Sequence, residues 1–527
     1  MSKAADMAKV TARGSFHFMW GLVASTVISS VGTIFIARLL GSDLYGVYGI
    51  VLTIPILIGI FRDWGVNSAV VRFAAQYRVK GKTAEVRSIL ISGIIFEIAL
   101  GLALTTVSFA LSDFIATNVY SRPNIASLIQ IASTIILLQG VVNAATAVFT
   151  GMEKMELNSV MLVCQAIIKT SIMITLVAWG LGTAGAVIGQ TIAFVASGII
   201  GASLIWIIYR KLPRLEDTKL KISYYTKEML RYGTPLSLGL VLASFQTQFY
   251  AFLLPIYYVS DNSVIGNYQM AITFVVLISF FATPITTMLF PAFSKLNPKR
   301  DKETLKNVYQ FSIKYATLFV VPVATLVMSL AEPAVTTLFG NTFAIAPLFL
   351  SLLSLTYMNT AIGNLTTGNF IISQGKTRFN FYLQALTAVI GFPLGYFLIM
   401  KFGVMGLIAI MLTAGLPSLF ISLFWIKKHY ELTVDWKSSL RIVLSSLITA
   451  ALTYALVSHL SLPSYLRLII GVAVFSLVFI LIALLTRAVD ESDIKNLREI
   501  AKGLGMLEKP ISLIINIVDY LRRILKS

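Results

Sequence analysis

Apolar stretches of twenty or more residues recur from Gly14 almost to Arg487. Each is long enough to cross a hydrocarbon core of about 30 Å as a helix. Hydrocarbon offers no partner to a backbone N–H or C=O, so such segments must be helices or strands of a closed barrel. Barrel strands would read as alternating segments of about ten residues, whereas these runs are continuously apolar. The chain therefore reads as an all-α integral membrane protein. Its 57% hydrophobic and 12% charged residues agree, because a soluble domain carries about 25% charged residues and 527 residues of this composition could not hide their apolar surface from water.

Fourteen spans emerge, at 14–38, 44–74, 86–111, 124–150, 157–180, 184–209, 231–255, 263–292, 306–331, 344–372, 379–400, 404–426, 437–459 and 465–486. The second is too long for a straight crossing, and Pro55, Gly59 and Gly65 predict a bend or an extension beyond the membrane. Turns at Gly182 and Gly403 predict two tight helical hairpins. Basic residues Lys3, Lys9 and Arg13 precede the first run, which has no clear small-residue cleavage site and reads as a retained span rather than a removed signal. With the N-terminus inside, about 35 of the 42 Lys and Arg fall in inner segments. Only Arg38, Arg122, Lys401 and Arg467 fall outside. Both termini are thus expected in the cytoplasm of a plasma-membrane protein. The net charge of +19 is then explained by anionic lipid headgroups, with no need for nucleic acid.

The sequence repeats itself at an offset of about 220 residues. Leu40-Gly41-Ser42-Asp43-Leu44-Tyr45-Gly46-Val47-Tyr48 is echoed around Val259–Tyr268, Gly151–Asn158 around Gly375–Asn380, and Gly182-Thr183-Ala184-Gly185 in Gly403-Val404-Met405-Gly406. Six spans per unit is even, so the two units share orientation about an axis along the membrane normal. The expected organisation is a six-helix lobe at 1–211, a basic linker at 212–230, a second six-helix lobe at 231–428, an extra helix pair at 429–487 and a cytoplasmic tail at 488–527. In that tail Ile511, Ile514, Ile515, Val518, Leu521 and Leu525 predict an interfacial amphipathic helix.

The stretch Ile36–Tyr48 and the segment Asp63-Trp64-Gly65-Val66-Asn67-Ser68-Ala69-Val70-Val71-Arg72-Phe73 closely resemble the opening of the polysaccharide-type lipid flippases. These belong to the superfamily of multidrug, oligosaccharidyl-lipid and polysaccharide exporters. Gly151-Met152-Glu153-Lys154 and Leu338–Ala344 add to the resemblance, which extends through all fourteen spans and leaves out only the charged tail. It implies a fold like that of the multidrug exporters, with two six-helix lobes around a central cavity and an extra helix pair. It further implies alternating access, often driven by an ion gradient, and a polyprenyl-linked sugar as cargo.

Flipping such a cargo requires cations for the phosphate or pyrophosphate, and an ionisable residue inside a span is a candidate by default. Arg62, Lys169, Lys314 and Arg38 are the candidate headgroup ligands. A guanidinium at Arg62 can hold phosphate oxygens bidentately, although a place near the cytoplasmic interface would let it snorkel. Asp63 and Glu97 could carry a coupling proton or sodium ion, or serve as charge partners, Glu97 for Lys169. Gln139, Asn143, Gln246, Gln248 and Tyr250 could meet sugar hydroxyls, or bond neighbouring helices. Neither the single Cys164 nor His17, His429 and His459 form a metal spacing, and no P-loop or nucleophile–base motif occurs. A flippase with no cofactor, its cargo and membrane lipids its only partners, acting as a monomer, is the leading expectation. A multidrug or cation exporter of the same superfamily is the runner-up, and a membrane glycosyltransferase or polymerase a more distant alternative.

Overall fold

The computed structural model describes residues 3–213, 220–298, 300–502 and 508–526. Residues 214–219 of the expected linker lie outside the described residues. Among the described residues every regular element is helical, as a chain that must satisfy its backbone within lipid requires. The chain divides into two compact units, Met1–Gln269 with Gly391–Leu407, and Met270–Ile390 with Ile408–Ser527.

The first unit holds α1 (Lys3–Gly59), α2 (Val66–Val79), α3 (Thr83–Phe114), α4 (Ala126–Gly151), α5 (Met155–Leu176), α6 (Gly182–Lys211), α7 (Ile222–Tyr257) and the start of α8 (Asn262–Ser294). Helix α1 is two limbs joined at Gly41, whose φ of +70° suits a residue without Cβ. The neighbours show how the limbs run. Gly21 and Gly32 face Ser159 and Thr170 of α5, so the first limb is parallel to α5. Thr183 Oγ1 donates to the Leu44 carbonyl and Tyr48 to Gln190, so the second limb is parallel to α6. Gly185 and Gly189 of α6 meet Leu176 and Met173 of α5, which makes that pair antiparallel. The limbs of α1 are therefore antiparallel too, a hairpin folded where the sequence placed its first outer loop.

The repeat appears as a reciprocal contact. A Cβ built on Gly46 would lie 2.0 Å from the Asn262 carbonyl oxygen, and one on Gly266 would lie 1.9 Å from that of Ser42. A shift of 220 turns Ser42 and Gly46 into Asn262 and Gly266, so each repeat presents the same patch to the other, as an approximate two-fold axis demands. Ser42 and Ser263 hydroxyls bond at 3.1 Å beside it. Small residues let two backbones approach in this way in the absence of a hydrophobic driving force. Gly46→Ala or Gly266→Ala is expected to cost about 1–3 kcal/mol or more through overpacking, visible as a lowered Tm in detergent. Gly239→Ala, with nothing within 4 Å, should leave it unchanged.

The second unit holds the rest of α8, then α9 (Lys302–Ser329), α10 (Ala331–Phe339), α11 (Ala346–Ser354), α12 (Asn364–Ser373), most of α13 (Thr377–Phe402), the later part of α14 (Val404–Thr413), α15 (Leu416–Tyr430), α16 (Trp436–His459), α17 (Ser464–Leu485), α18 (Glu491–Lys502) and α19 (Glu508–Lys526). Phe293, Tyr309, Phe370, Ile371 and Ile426 form its buried core. Gly363, at φ +95° and pressed by Ile313, breaks the span expected at 344–372 into two pieces bent by 51°.

Eleven helices among the described residues are long and apolar enough to cross a bilayer, twelve with the bent pair as one crossing. Two of the eleven are double. Phe18–Arg62 is folded at Gly41, and Met155–Lys211 at Gly180 and Gly182, both with positive φ. Counting their limbs separately gives fourteen.

Candidate functional site

The overlong second crossing is broken where Arg62 lies. After Gly59 the chain makes one 3-10 turn, Ile60–Arg62, then extends at Asp63 and turns through Gly65 at φ +80° before α2 starts. Asp63 holds the break, since its Oδ1 accepts the backbone N–H of Gly65 at 2.8 Å and of Asn67 at 3.4 Å. This satisfies donors that a new helix leaves unpaired. Gly65 is required for a second reason, because a Cβ there would sit 2.3 Å from the Gly233 carbonyl oxygen of α7.

The break turns Arg62 and Asn67 onto Glu97 of α3. Glu97 is fully buried and Arg62 is 5% exposed. Arg62 Nε lies 3.2 Å from Glu97 Oε2, Arg62 Nη1 donates to the Ile136 carbonyl at 3.3 Å, and Asn67 Nδ2 donates to Glu97 Oε1 at 2.6 Å. The charges pair closely but off line, so Arg62 Nε and Glu97 Oε2 each lack a hydrogen bond among the described residues. A guanidinium has five N–H donors, and this one spends few of them. Arg62 is thus a buried, paired cation rather than a snorkelling one, and Glu97 pairs with Arg62 rather than with Lys169. Asn67 and Gly140 were not singled out from the sequence. The signal for Asn67 was its place four residues after Asp63, about one helical turn on.

Gly140 of α4 leaves room for the pair, because a Cβ there would lie 3.1 Å from both Arg62 Cδ and Glu97 Oε2. Gly140→Val is expected to push the pair apart and cost about 1–3 kcal/mol. The check is a fall in Tm in detergent. Gly198→Ala, whose nearest neighbour would be 3.8 Å away, is the control.

The remaining candidates divide by surroundings. Lys169 is half-buried in α5 and has no charged partner among the described residues. Gln139 is exposed and Asn143 half-buried one turn later on α4, flanking Gly140, and neither makes a hydrogen bond to the described residues. Gln248 is half-buried in α7. Gln246 and Tyr250, read as sugar contacts, are buried. Gln246 Nε2 donates to the Tyr250 hydroxyl at 2.7 Å, and the two press on Gly391 and Gly395 of α13, where a Cβ would lie 1.8 and 2.4 Å from them. Around them the rings of Phe61, Phe245, Phe249 and Phe392 pack with centroids 5.3–6.4 Å apart. Arg38 is exposed. Arg122, expected in an outer loop, is 8% exposed and donates to the Pro255 and Tyr258 carbonyls at the end of α7.

Lys314 lies in the second unit and is engaged by the tail. Its Nζ is 2.7 Å from the fully buried Asp493 and 3.4 Å from Asp490. Tyr315 donates to Asp493 at 3.3 Å and accepts from Asn496 at 3.0 Å. A cation read as a phosphate ligand is here neutralised by carboxylates that follow the last crossing.

No curated protein matches the chain in sequence. Solved structures share its fold. The lipid II flippase MurJ in an inward closed conformation superposes with a TM-score of 0.69 at 17% identity, covering 89% of this chain and 98% of that one. An inward-facing multidrug resistance MATE transporter of the MOP superfamily gives 0.59 at 15%, covering 77% and 94%. A MOP superfamily transporter from Pyrococcus furiosus gives 0.50 at 15%, covering 80% and 96%. At these identities the likeness is one of fold, and it agrees with the architecture that the sequence resemblance implied. A family model described as polysaccharide biosynthesis protein matches residues 35–348, more than half of the 527, and the chain therefore belongs to that family.

Proposed function

We propose that the protein is a flippase that carries a polyprenyl-(pyro)phosphate-linked oligosaccharide across the membrane by alternating access, for the assembly of a surface polysaccharide or glycan. The observation that carries this reading is the buried Arg62 at the break of the second crossing, paired with Glu97 but with donors to spare. Phosphate oxygens are the ligand for which a guanidinium fork is best matched. Glu97 then stands in for the cargo's anion while the site is empty. Protonating Glu97 would release Arg62 to the phosphate, and its return to the carboxylate would favour release. That exchange is a route for coupling to a proton gradient, and a sodium ion on Glu97 would have the same effect. Lys169 adds a second cation, and Gln139 and Asn143 offer free amides for sugar hydroxyls. The lobes at 1–211 and 231–428 are the moving bodies, with both termini in the cytoplasm as the Lys and Arg distribution argues.

The test is reconstitution of the full chain in proteoliposomes with a fluorescent polyprenyl-pyrophosphoryl oligosaccharide. Translocation is read as label protected from, or exposed to, a membrane-impermeant quencher. The expected result is transfer well above protein-free vesicles and dependent on an imposed proton or sodium gradient. Transfer at the protein-free rate, with movement of a lipophilic cation instead, would favour the exporter reading.

A further inference from the structure

The tail after the last crossing is a helical hairpin whose two outer surfaces differ in chemistry. The outer surface of α18 is charged, with Glu491, Ser492, Lys495 and Glu499 exposed. Its inner side buries Asp493 against Lys314 and packs Ile494 onto Ile515 of α19. Helix α19 is closed on the α18 side by Ile515 and Val518, with Arg522 bonded to Glu491 at 2.9 Å. At 100° per residue, Leu513, Ile517 and Tyr520 fall on the opposite side, 62, 48 and 66% exposed. The apolar face expected from the sequence is thus partly spent inside the hairpin, at Ile515 and Val518. The side chains of Ile511, Ile514, Leu521 and Leu525 lie outside the described ones.

Three observations say what covers the exposed stripe. Helix α19 packs against α17, whose Leu477, Leu481 and Leu485 form an exposed apolar face of a membrane-crossing helix. Ile494 and Ile515 have Val489 and Val518 packed against them, and Val489 lies only four residues beyond the end of α17, which sets this cluster beside the end of a crossing. The helix also carries Lys509, Arg522, Arg523 and Lys526 against Glu508 and Asp519, an excess of positive charge suited to anionic lipid.

We infer that the stripe Leu513–Ile517–Tyr520 is a lipid-docking surface. It seats α19 in the headgroup–acyl boundary of the leaflet on the Lys- and Arg-rich side, while α18 faces water. The tail is then a strap with one side in lipid and the other fastened to Lys314 of α9. This placement does not depend on what the protein transports.

The experiment uses the full chain in anionic phosphatidylglycerol nanodiscs. Cys164, the single cysteine, is replaced by serine, and Leu513→Cys, Ile517→Cys, Tyr520→Cys or Lys495→Cys is labelled with an environment-sensitive fluorophore. Labels at 513, 517 and 520 are expected to be quenched by spin-labelled lipid at least twofold more than the label at 495, and iodide is expected to give the reverse order. Equal access of iodide to all four positions overturns the inference. Shielding of 513 and 517 from both quenchers, relieved when the protein is diluted, overturns it too, because a second copy would then cover the stripe.

Discussion

Arg62→Ala is expected to reduce the proposed translocation of a lipid-linked sugar to the protein-free rate. The substitution removes the one cation at the helix break and leaves Glu97 buried without its charge partner, a change that can cost about 3–5 kcal/mol. Lost stability could imitate lost function, so the informative variants are those that separate the two. Arg62→Lys keeps the charge but replaces a five-donor fork with a compact ammonium. It should slow transfer roughly 10- to 100-fold, the worth of one hydrogen bond to a charged group at about 1.5–3 kcal/mol. Arg62→Met combined with Glu97→Leu removes both charges. Because a matched apolar pair often restores or raises stability where a broken ion pair does not, this double variant should regain the Tm and still fail to transport. Glu97→Gln keeps a partner for Asn67 and abolishes the charge proposed to answer a gradient, so transfer should persist but lose any dependence on proton or sodium. Wild-type transfer by Arg62→Ala, or by the double variant, would show that the pair serves structure alone.

What could be read from the chain was the part set by period and composition. Fourteen crossings followed from apolar length, and two tight hairpins followed from Gly182 and Gly403, which the structure shows at positive φ, as it does Gly41. The repeat was visible as three echoes, and the reciprocal packing of Gly46 and Gly266 is its physical expression. Pairing was not legible, because which charge meets which is decided by helix rotation and tertiary contact. Glu97 could have met Lys169, yet the break at Asp63 and Gly65 rotates Arg62 onto it. The packing of Gln246 was hidden too, because glycines at 391 and 395, far along the chain, open the space that it and Tyr250 fill. Lys314 was recognised as an intramembrane cation. Its partners lie beyond residue 487, in a segment whose composition reads as a solvated tail.

Those partners make the second large prediction. Asp493→Asn is expected to release α18 from α9 without unfolding the membrane helices. Asp493 accepts from Lys314 at 2.7 Å, from the Asp490 backbone N–H at 2.9 Å and from Tyr315, all without exposure to water. Removing its charge leaves Lys314 with Asp490 alone, 3.4 Å away and half-exposed, and breaking a buried pair costs about 3–5 kcal/mol. Hydrogen exchange in α18 should therefore quicken by at least about 100-fold, while α9 and α16 keep their protection. Asp490→Asn should do far less, within the about 0–1 kcal/mol of an exposed pair. Acid supplies an independent check. Burial pushes the Asp490 carboxyl up, but the Ser492 hydroxyl, the Asp493 N–H and Lys314 together more than offset this and hold it at about 2, below its ordinary 3.8. A depressed carboxylate stabilises the folded form above its unfolded value, and the contribution disappears as pH falls through the folded one. The share of the strap that rests on Asp490 should thus be constant from pH 7 to 5 and decline between about 4 and 2. Equal exchange in the Asp493→Asn and unsubstituted proteins would remove the clasp on Lys314 as the force that holds the tail.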